Sequence, residues 1–298
     1  MKGVFRLAIF LAVCAAARGQ TAVGIRGTVE WERMRVETSV SLDLAAAGIR
    51  LPTGRGAGEA LIAGEYLRLM GPVLFSIPVD SSSTLGDLVE RGEYSLVEAE
   101  RLALGAGTVP PALSPDMTRL SGGYSLNLVS LSAALIRHTR PAEVMRTLNP
   151  VPAPAYTGII IIASEELPVH GMKGAALPLP CLFPKIWDSD MNLLYGRNML
   201  DPPLAAERPM VRYASEDHIF RPGPSGLSAE ITALVGPRPL RIFARSVFGI
   251  RPTDPIIDRE DCLLIISSGE NRRLLQEGKV VIVLKEEALT TPVAAPPR

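Results

Sequence analysis

Three histidines, His138, His170 and His218, are the side chains in this sequence that are best suited to bind a metal ion. None of them lies three or four residues from another histidine or from a cysteine, which are the spacings that bring two zinc ligands together on a helix or in a turn. A zinc site would therefore need ligands from distant parts of the chain. We predict no metal site from these residues.

A second candidate for metal binding is the segment 188–192 (DSDMN), whose alternating acidic and amide residues resemble the opening of a calcium loop. In such a loop the sixth residue is glycine, because the chain turns sharply there, and the twelfth is a glutamate that binds calcium with both oxygens. These positions hold Leu193 and Met199. The segment is therefore predicted to be an acidic hairpin turn.

The segments that could support catalysis lack the necessary spacing. Gly54–Gly58 precedes a helical pattern but has neither the G-x-G-x-x-G spacing nor the Gly-Lys-Ser/Thr ending of a phosphate loop. Gly223–Gly226 lacks the G-x-S-x-G spacing of a nucleophile elbow. Glu165 and Glu166 are adjacent and would face opposite sides of a strand. We predict no catalytic residue and no cofactor, so the protein is not expected to be an enzyme; a hydrolase with a dispersed site is the enzymatic alternative.

Residues 1–19 have the order of a secretory signal peptide, with two basic residues followed by an apolar run of about ten residues. The run is too short to span a bilayer, which needs about 20 apolar residues. Small residues Ala17 and Gly19 favour cleavage before Gln20, and cleavage after Ala17 is the alternative. These features predict a protein of the periplasm or the outer membrane.

The segment Leu11–Cys14 also resembles a lipobox, in which Cys14 would carry a lipid and tether the protein to a membrane. Val13 departs from that pattern, because a small residue normally precedes the lipid-bearing cysteine. The two remaining cysteines, Cys181 and Cys262, are candidates for a disulfide in an oxidising compartment. Two buried free thiols, behaving as small apolar side chains, are the alternative.

The composition is that of a globular protein of 298 residues, 47% hydrophobic and 21% charged. Removing residues 1–19 takes away three basic residues and no acidic one, which leaves 28 basic against 31 acidic residues. No block of basic residues remains to bind nucleic acid, and no later segment is long and apolar enough to cross a membrane. The expected partners are other envelope proteins or further copies of this chain.

The mature N-terminal half, 20–148, shows both strand and helix periodicity. Apolar residues alternate over 27–44, which predicts long strands or a hairpin, and recur at helical spacing over 57–70. Thr84 with Asp87, and Ser95 with Glu98, have the spacing of capping boxes at helix starts, and Gly105 is suited to end the second helix. We further predict a strand at 75–79, a loop at 106–123 and a strand at 124–131.

The proline-rich segment 149–155 predicts a linker between two α+β regions. The C-terminal region, 156–288, is predicted to contain a buried strand at 157–163, a hairpin at 183–195, short strands at 211–213 and 240–244, one or two helices at 258–277 and a buried strand at 279–284. Residues 289–298 are predicted to be disordered. The fold class is α+β or mixed α/β, with helices packed on a mainly antiparallel or mixed sheet.

Two blocks in the C-terminal region resemble envelope proteins of the small membrane-associated lipoprotein type, which include FlgP-like proteins of the flagellar outer-membrane disk. The first block contains Tyr156, Thr157, Gly158, Pro184, Ile186, Tyr195 and Gly196, and the second contains Gly249, Pro252, Thr253, Asp254 and Gly278. The family often has an acidic residue where this chain has Ile162. The resemblance implies an envelope location and a non-catalytic role.

The shared residues also have structural explanations. Gly158 permits a close backbone approach or a bulge, and Gly278 suits a left-handed turn before the last buried strand. Thr253 and Asp254 are suited to turns and helix starts. We therefore predict an exported cell-envelope protein with a structural or protein-interaction role. The alternatives are a periplasmic protein that binds a small ligand in a cleft between its two halves, and a flagellum-associated envelope component.

Overall fold

The structure, a computed structural model, describes residues 22–220 and 226–294 and contains the predicted mixture of helices and strands. The first region, together with the end of the chain, forms an antiparallel sheet with the strand order β15-β1-β2-β4-β3. Its elements are β1 (Val23–Glu30), β2 (Arg35–Asp43), α1 (Arg55–Phe75), α2 (Leu85–Glu90), α3 (Leu96–Leu104), β3 (Gly107–Leu113), β4 (Arg119–Asn127), α4 (Leu128–Leu135) and β15 (Thr290–Ala294).

The second region contains a parallel sheet, β10-β14-β5-β11, a mixed sheet, β12-β13-β8-β9, and a small hairpin, β6-β7. Its elements are β5 (Ile159–Ile162), β6 (Leu167–Pro168), β7 (Ala175–Ala176), β8 (Ile186–Asp188), β9 (Leu193–Tyr195), α5 (Pro202–Ala205), β10 (Arg212–Ala214), α6 (Glu216–Ile219), α7 (Ala229–Val235), β11 (Leu240–Phe243), β12 (Ser246–Phe248), β13 (Asp254–Ile257), α8 (Arg259–Ile266), α9 (Gly269–Gln276) and β14 (Val280–Val283).

The predictions drawn from clear periodicity are confirmed. β1 and β2 form the hairpin, and their alternating apolar residues, such as Val36 and Val40, are buried. α1 buries the predicted face, which includes Ile62 and Tyr66. α2 and α3 begin with complete capping boxes at Thr84 and Ser95.

The two uniformly apolar strands, β5 and β14, are direct neighbours in the parallel sheet, with Ile159 opposite Val280. Three of the four residues of β5 and all of β14 are buried, as expected for strands that are covered on both faces. All pairs in the sheet β10-β14-β5-β11 are parallel, whereas the other two sheets of this region contain antiparallel pairs. The chain as a whole combines parallel and antiparallel pairing.

Four predictions in the N-terminal half are wrong in whole or in part. Residues 106–123 are not a loop, since β3 and most of β4 lie there, and Phe75 ends α1 instead of starting a strand. The predicted strand at 124–131 continues only to Asn127, whose side-chain oxygen accepts a hydrogen bond from the backbone N–H of Val129 at 2.8 Å and starts α4. Gly105 ends α3, but without the left-handed backbone of a C′ glycine.

The predicted disordered tail, 289–298, is also wrong over its first part. Residues 290–294 form β15, which pairs antiparallel with β1 in a register that places Val293 opposite Gly27. The indole N–H of Trp31 donates to the hydroxyl of Thr291 at 3.2 Å. The end of the chain thus forms the edge strand next to β1.

One continuous hydrophobic cluster contains side chains of both regions, from Val23 and Trp31 to Leu275 and Leu289. A smaller cluster lies between the parallel sheet and α7 and includes Ile160 and Val235. The two regions therefore share one hydrophobic core. Among the described residues, no helix has the length and apolar character needed to cross a membrane.

Candidate functional site

The junction between the two regions is made by backbone hydrogen bonds between the loop after α1 and the segment before β8. The N–H of Leu182 donates to the carbonyl of Pro78 at 3.1 Å, and the N–H of Phe183 donates to that of Val79 at 2.8 Å. The N–H of Arg251 donates to the carbonyl of Ser81 at 3.0 Å. These bonds fix the first region on the second independently of the linker.

A cleft lies beside this junction and consists of two adjacent cavities of about 350 and 300 Å³, which share Arg197 and Asn198. We call it the junction cleft. The larger cavity is also lined by Asp80, Ala142, Phe183, Lys185, Leu193, Gly196 and Met199. The smaller cavity is also lined by Leu88, Glu93, Leu135, Arg137 and His138. Both regions and the segment between them therefore contribute to its walls.

Arg197 is held in place by an aromatic ring. Its guanidinium carbon lies 5.4 Å from the centroid of the Phe183 ring, a cation–π contact. Phe183 is buried and is fixed by its backbone bond to Val79. The guanidinium group is thus oriented by contact with a buried side chain.

Lys185 is positioned through its backbone by a buried carboxylate. Its N–H donates to Oδ1 of Asp254 at 3.1 Å, and the hydroxyl of Thr253 donates to the same oxygen at 2.9 Å. Asp254 is 0% exposed, and burial raises the pKa of its carboxyl group above the ordinary value of 3.8. β8 and β13 also pair in parallel, with Ile256 opposite Trp187. The two sequence blocks that were singled out therefore meet next to the junction cleft.

The acidic groups of the cleft already have partners. The Asp80 carboxylate accepts hydrogen bonds from the backbone N–H groups of Ser82 at 2.9 Å and Ser83 at 2.8 Å. Glu93 forms an ion pair with Arg91 at 2.5 Å. Within the part of the chain that the structure describes, Lys185, Arg197 and Arg137 form no such ion pair with a carboxylate.

Four residues of the first sequence block lie at or near the cleft. Pro184 and Ile186 are buried on either side of Lys185, Gly196 lines the larger cavity, and the Tyr195 hydroxyl donates to the carbonyl of Met210 at 3.2 Å. Pro252 accepts a hydrogen bond from the N–H of Leu179 at 2.9 Å through its carbonyl.

Thr157, Gly158 and Gly278 lie at the start of the parallel sheet. The hydroxyl of Thr157 accepts a hydrogen bond from the N–H of Arg238 at 3.0 Å. A Cβ on Gly158 would lie 2.4 Å from Cβ of Val235, which confirms the predicted close approach. Gly278 has φ +63°, the left-handed turn expected before β14.

Tyr156 is held by Asn271, a buried polar residue that the sequence analysis did not single out. The Oδ1 atom of Asn271 accepts from the N–H of Tyr156 at 3.0 Å, and its Nδ2 donates to the carbonyls of Pro154 at 3.0 Å and Leu264 at 2.9 Å. The N–H of Val151 donates to the hydroxyl of Ser267 at 3.0 Å. The predicted linker 149–155 is thus bound to α8, α9 and the turn between them.

The structure corrects the proposed disulfide, because Cys181 and Cys262 are both free and buried. Burial raises the pKa of the Cys181 thiol well above its ordinary value and that of Cys262 to about 12, so both are protonated at neutral pH. The candidate lipidation residue Cys14 and the cleavage site lie outside the described residues.

The three histidines lie in different surroundings. His138 is hydrogen bonded to the carbonyl of Leu200 at 2.8 Å, His170 packs near Phe248, and Nδ1 of His218 lies 2.8 Å from a carboxylate oxygen of Glu32. Over residues 22–220 and 226–294, no group of three or more potential ligands is placed to hold a metal ion.

The acidic segment after β8 is a hairpin turn, as predicted. Asp188 accepts hydrogen bonds from the N–H of Asp190 at 3.0 Å and from that of Asn192 at 2.8 Å. Arg259 on α8 forms an ion pair with Asp190 at 2.5 Å. The carboxylates thus stabilise the turn and its contact with α8.

Sequence reasoning missed the cleft, although its basic residues lie next to residues that were singled out. Lys185 stands between Pro184 and Ile186, and Arg197 directly follows Gly196. A charged residue between or beside buried residues of the two blocks is the pattern that could have indicated the cleft. Which of them face a common cavity depends on the junction between the regions.

Two family models match this chain, one over each region. Residues 22–134 match the model described as Treponema pallidum Tp0624, N-terminal domain, and residues 158–286 match that described as Treponema pallidum Tp0624, second domain. No curated protein matches the chain. The segment between the two matches, 135–157, contains the predicted linker.

The chain is therefore an α+β protein that is similar to two consecutive domains of Tp0624, in the same order. The matches do not include a FlgP-like lipoprotein model, and that resemblance stays a prediction.

Proposed function

We propose that this is an exported cell-envelope protein with a structural or protein-interaction role, which acts by binding and not by catalysis. The support for export is the order of charge, apolar run and small residues in 1–19. The support for binding is the junction cleft, whose walls come from both regions.

The observation that carries this proposal is that the cleft is formed in advance. The junction bonds, the shared core and the return of β15 to β1 fix both of its walls. A surface that is ordered before binding loses less conformational entropy when a partner binds, which favours affinity.

The test is recovery of partners from envelope fractions with the full chain and with Ala142→Phe. Ala142 is exposed and lines the larger cavity, so a phenyl group there fills the cleft, while the backbone N–H can still donate to the carbonyl of Asn198 at 2.7 Å. Ala206→Phe makes the same change at an exposed alanine outside the cleft. We expect a partner that is lost with Ala142→Phe and kept with Ala206→Phe. Equal recovery with all three proteins would refute the cleft as the binding surface.

The chemistry of the N-terminus requires a separate test. Mass spectrometry of the protein from its native envelope distinguishes a terminus at Gln20, a terminus after Ala17 and a lipid-modified Cys14. An intact, uncleaved protein in the cytosol would contradict export. Partners that belong to the flagellum would support the flagellum-associated alternative.

A second candidate function, binding of a small ligand, is favoured by the size of the cleft. Cavities of about 350 and 300 Å³ lie at the lower end of the range for small-molecule sites, which is about 300–1,000 Å³. Thermal shift with small-molecule mixtures tests it, because a ligand at about 100 times its dissociation constant stabilises the folded state by about 2.7 kcal/mol.

A further inference from the structure

We infer that the junction cleft binds a small organic oxyanion, a carboxylate or a phosphate that is attached to a compact apolar group. This inference rests on the proposed small-ligand function and names the chemical class of the ligand. It follows from the charges, the orientation of Arg197 and the apolar lining of the larger cavity.

The basic side chains that line the cleft outnumber the acidic ones. Lys185 and Arg197 line the larger cavity and Arg137 the smaller one, and none of them pairs with a carboxylate among the described residues. The two acidic residues of the cleft have their own hydrogen-bond or ion-pair partners, as Asp80 with Ser82 and Glu93 with Arg91. Lys185 also interacts electrostatically with the buried Asp254, and Asp80 keeps its negative charge beside it. The lining nevertheless holds three cations against two carboxylates, one of which is paired with Arg91, so an anionic ligand meets a net positive charge.

Arg197 is suited to oxyanions by its shape as well as by its charge. A guanidinium group presents parallel N–H donors that match the two oxygens of a carboxylate or phosphate. The contact with Phe183 restricts its orientation before binding. Lys185, fixed through its backbone by Asp254, supplies a second positive charge in the same cavity.

The apolar part of the ligand follows from the remaining lining of the larger cavity. Leu193 and Met199 are half-buried, and Phe183 is buried, so the cavity presents apolar surface next to the two cations. A fully polar anion would leave this surface in water, whereas a small apolar group would bury it. The cleft thus combines an anion-binding end with a hydrophobic wall.

Three matched probes test the inference: benzoate, phenyl phosphate and benzamide, added to the full chain and followed by thermal shift and calorimetry. Benzoate and phenyl phosphate share the apolar ring and differ in the oxyanion, and benzamide keeps the ring without the charge. We expect saturable stabilisation by one or both anions and none by benzamide. The anion that binds more tightly shows which of the two oxyanions the cleft prefers.

Variants assign the binding to the cleft. Arg197→Ala removes a charge-assisted contact, and we expect it to weaken anion binding by at least roughly tenfold. Arg273→Ala, at an exposed arginine of α9 outside the cleft, should leave binding unchanged. Lys185→Ala provides a second test, and the melting curve of each unliganded variant shows whether it is folded.

Equal binding of benzamide, or full anion binding by folded Arg197→Ala and Lys185→Ala, would overturn the inference. So would the absence of binding by either anion. If partner recovery still depends on the Ala142→Phe change in that case, the proposed function stands and only the ligand class is wrong. If anions bind but partner recovery is insensitive to Ala142→Phe, the protein-interaction proposal is the one that fails.

Discussion

Asn271 is the residue from which the attachment of the linker to the second region can be tested most directly. It is 1% exposed, and its amide makes three hydrogen bonds: it accepts from the N–H of Tyr156 and donates to the carbonyls of Pro154 and Leu264. Within the described residues, no other side chain forms a hydrogen bond with these three groups. We predict that Asn271→Leu, a change of similar size, loosens the linker and destabilises the fold.

The magnitude follows from the groups that lose their partner. Pro154 is exposed, so water can replace the bond to its carbonyl, whereas Tyr156 and Leu264 are half-buried. An unsatisfied buried polar group costs about 1–3 kcal/mol, so two such groups lower the free energy of unfolding by about 3 kcal/mol in total. Leucine adds apolar contacts that offset part of this loss, so the expected value lies in the lower part of the range summed over the two groups.

Urea unfolding and amide hydrogen exchange measure the two parts of this prediction. We expect a lower unfolding free energy and faster exchange of the Tyr156 amide in Asn271→Leu. The control is Gln276→Leu, because Gln276 also lies on α9 but contacts the chain outside the linker, where its Nε2 lies 3.5 Å from the carbonyl of Ala142. A change of less than about 0.5 kcal/mol in Asn271→Leu, with unaltered exchange at Tyr156, would refute the reasoning.

Three further predictions concern the close approach at the sheet, the buried carboxylate and the end of the chain. Gly158→Ala should lower the free energy of unfolding by about 1–3 kcal/mol, because the added Cβ would lie 2.5 Å from the Cα of Val235, which cannot move aside like a side chain; urea unfolding measures it. Burial raises the pKa of Asp254, so the folded protein binds more protons than the unfolded chain as the pH falls toward 3.8. Wild type should therefore gain stability relative to Asp254→Asn in urea titrations as the pH falls from neutral toward 3.8. Deleting 290–298 uncovers the edge of β1 and should lower the melting temperature and promote association, which calorimetry and light scattering detect.

Each of these predictions has a control or a contradicting outcome. Gly64→Ala, at an exposed helical glycine with open space around it, should raise stability by up to about 1 kcal/mol and so change it in the opposite direction from Gly158→Ala. A pH-independent difference between wild type and Asp254→Asn would show that Asp254 does not titrate as stated. A truncated protein that melts like the full chain would show that β15 does not stabilise the sheet.

Local patterns were sufficient where one short segment carries all of the information. Alternation in β1 and β2 reflects one buried face, and the capping boxes of α2 and α3 satisfy backbone groups within four residues of each other. The apolar runs of β5 and β14 predicted burial on both faces. In each case the contacts that define the element are local, or the burial is uniform along it.

β3 was missed because tertiary position removed the usual objection to proline in a strand. It contains Pro110 and Pro111, and it lies at the edge of its sheet with a register shift between Val109 and Ala112. An edge strand needs hydrogen bonds on one side only, so proline is tolerated there. Whether a strand lies at an edge is decided by the whole sheet.

The sequence by itself determined the fold class and the elements with clear periodicity or capping boxes, such as β1, β2, α2, α3, β5 and β14. Only the tertiary structure decided that 290–294 pairs with β1, that the thiols of Cys181 and Cys262 stay apart and that Arg197 and Lys185 face one cavity. The physical reason is the distance along the chain between the interacting residues. Periodicity and capping depend on near neighbours in the sequence, whereas these contacts join distant residues that only the shared core brings together.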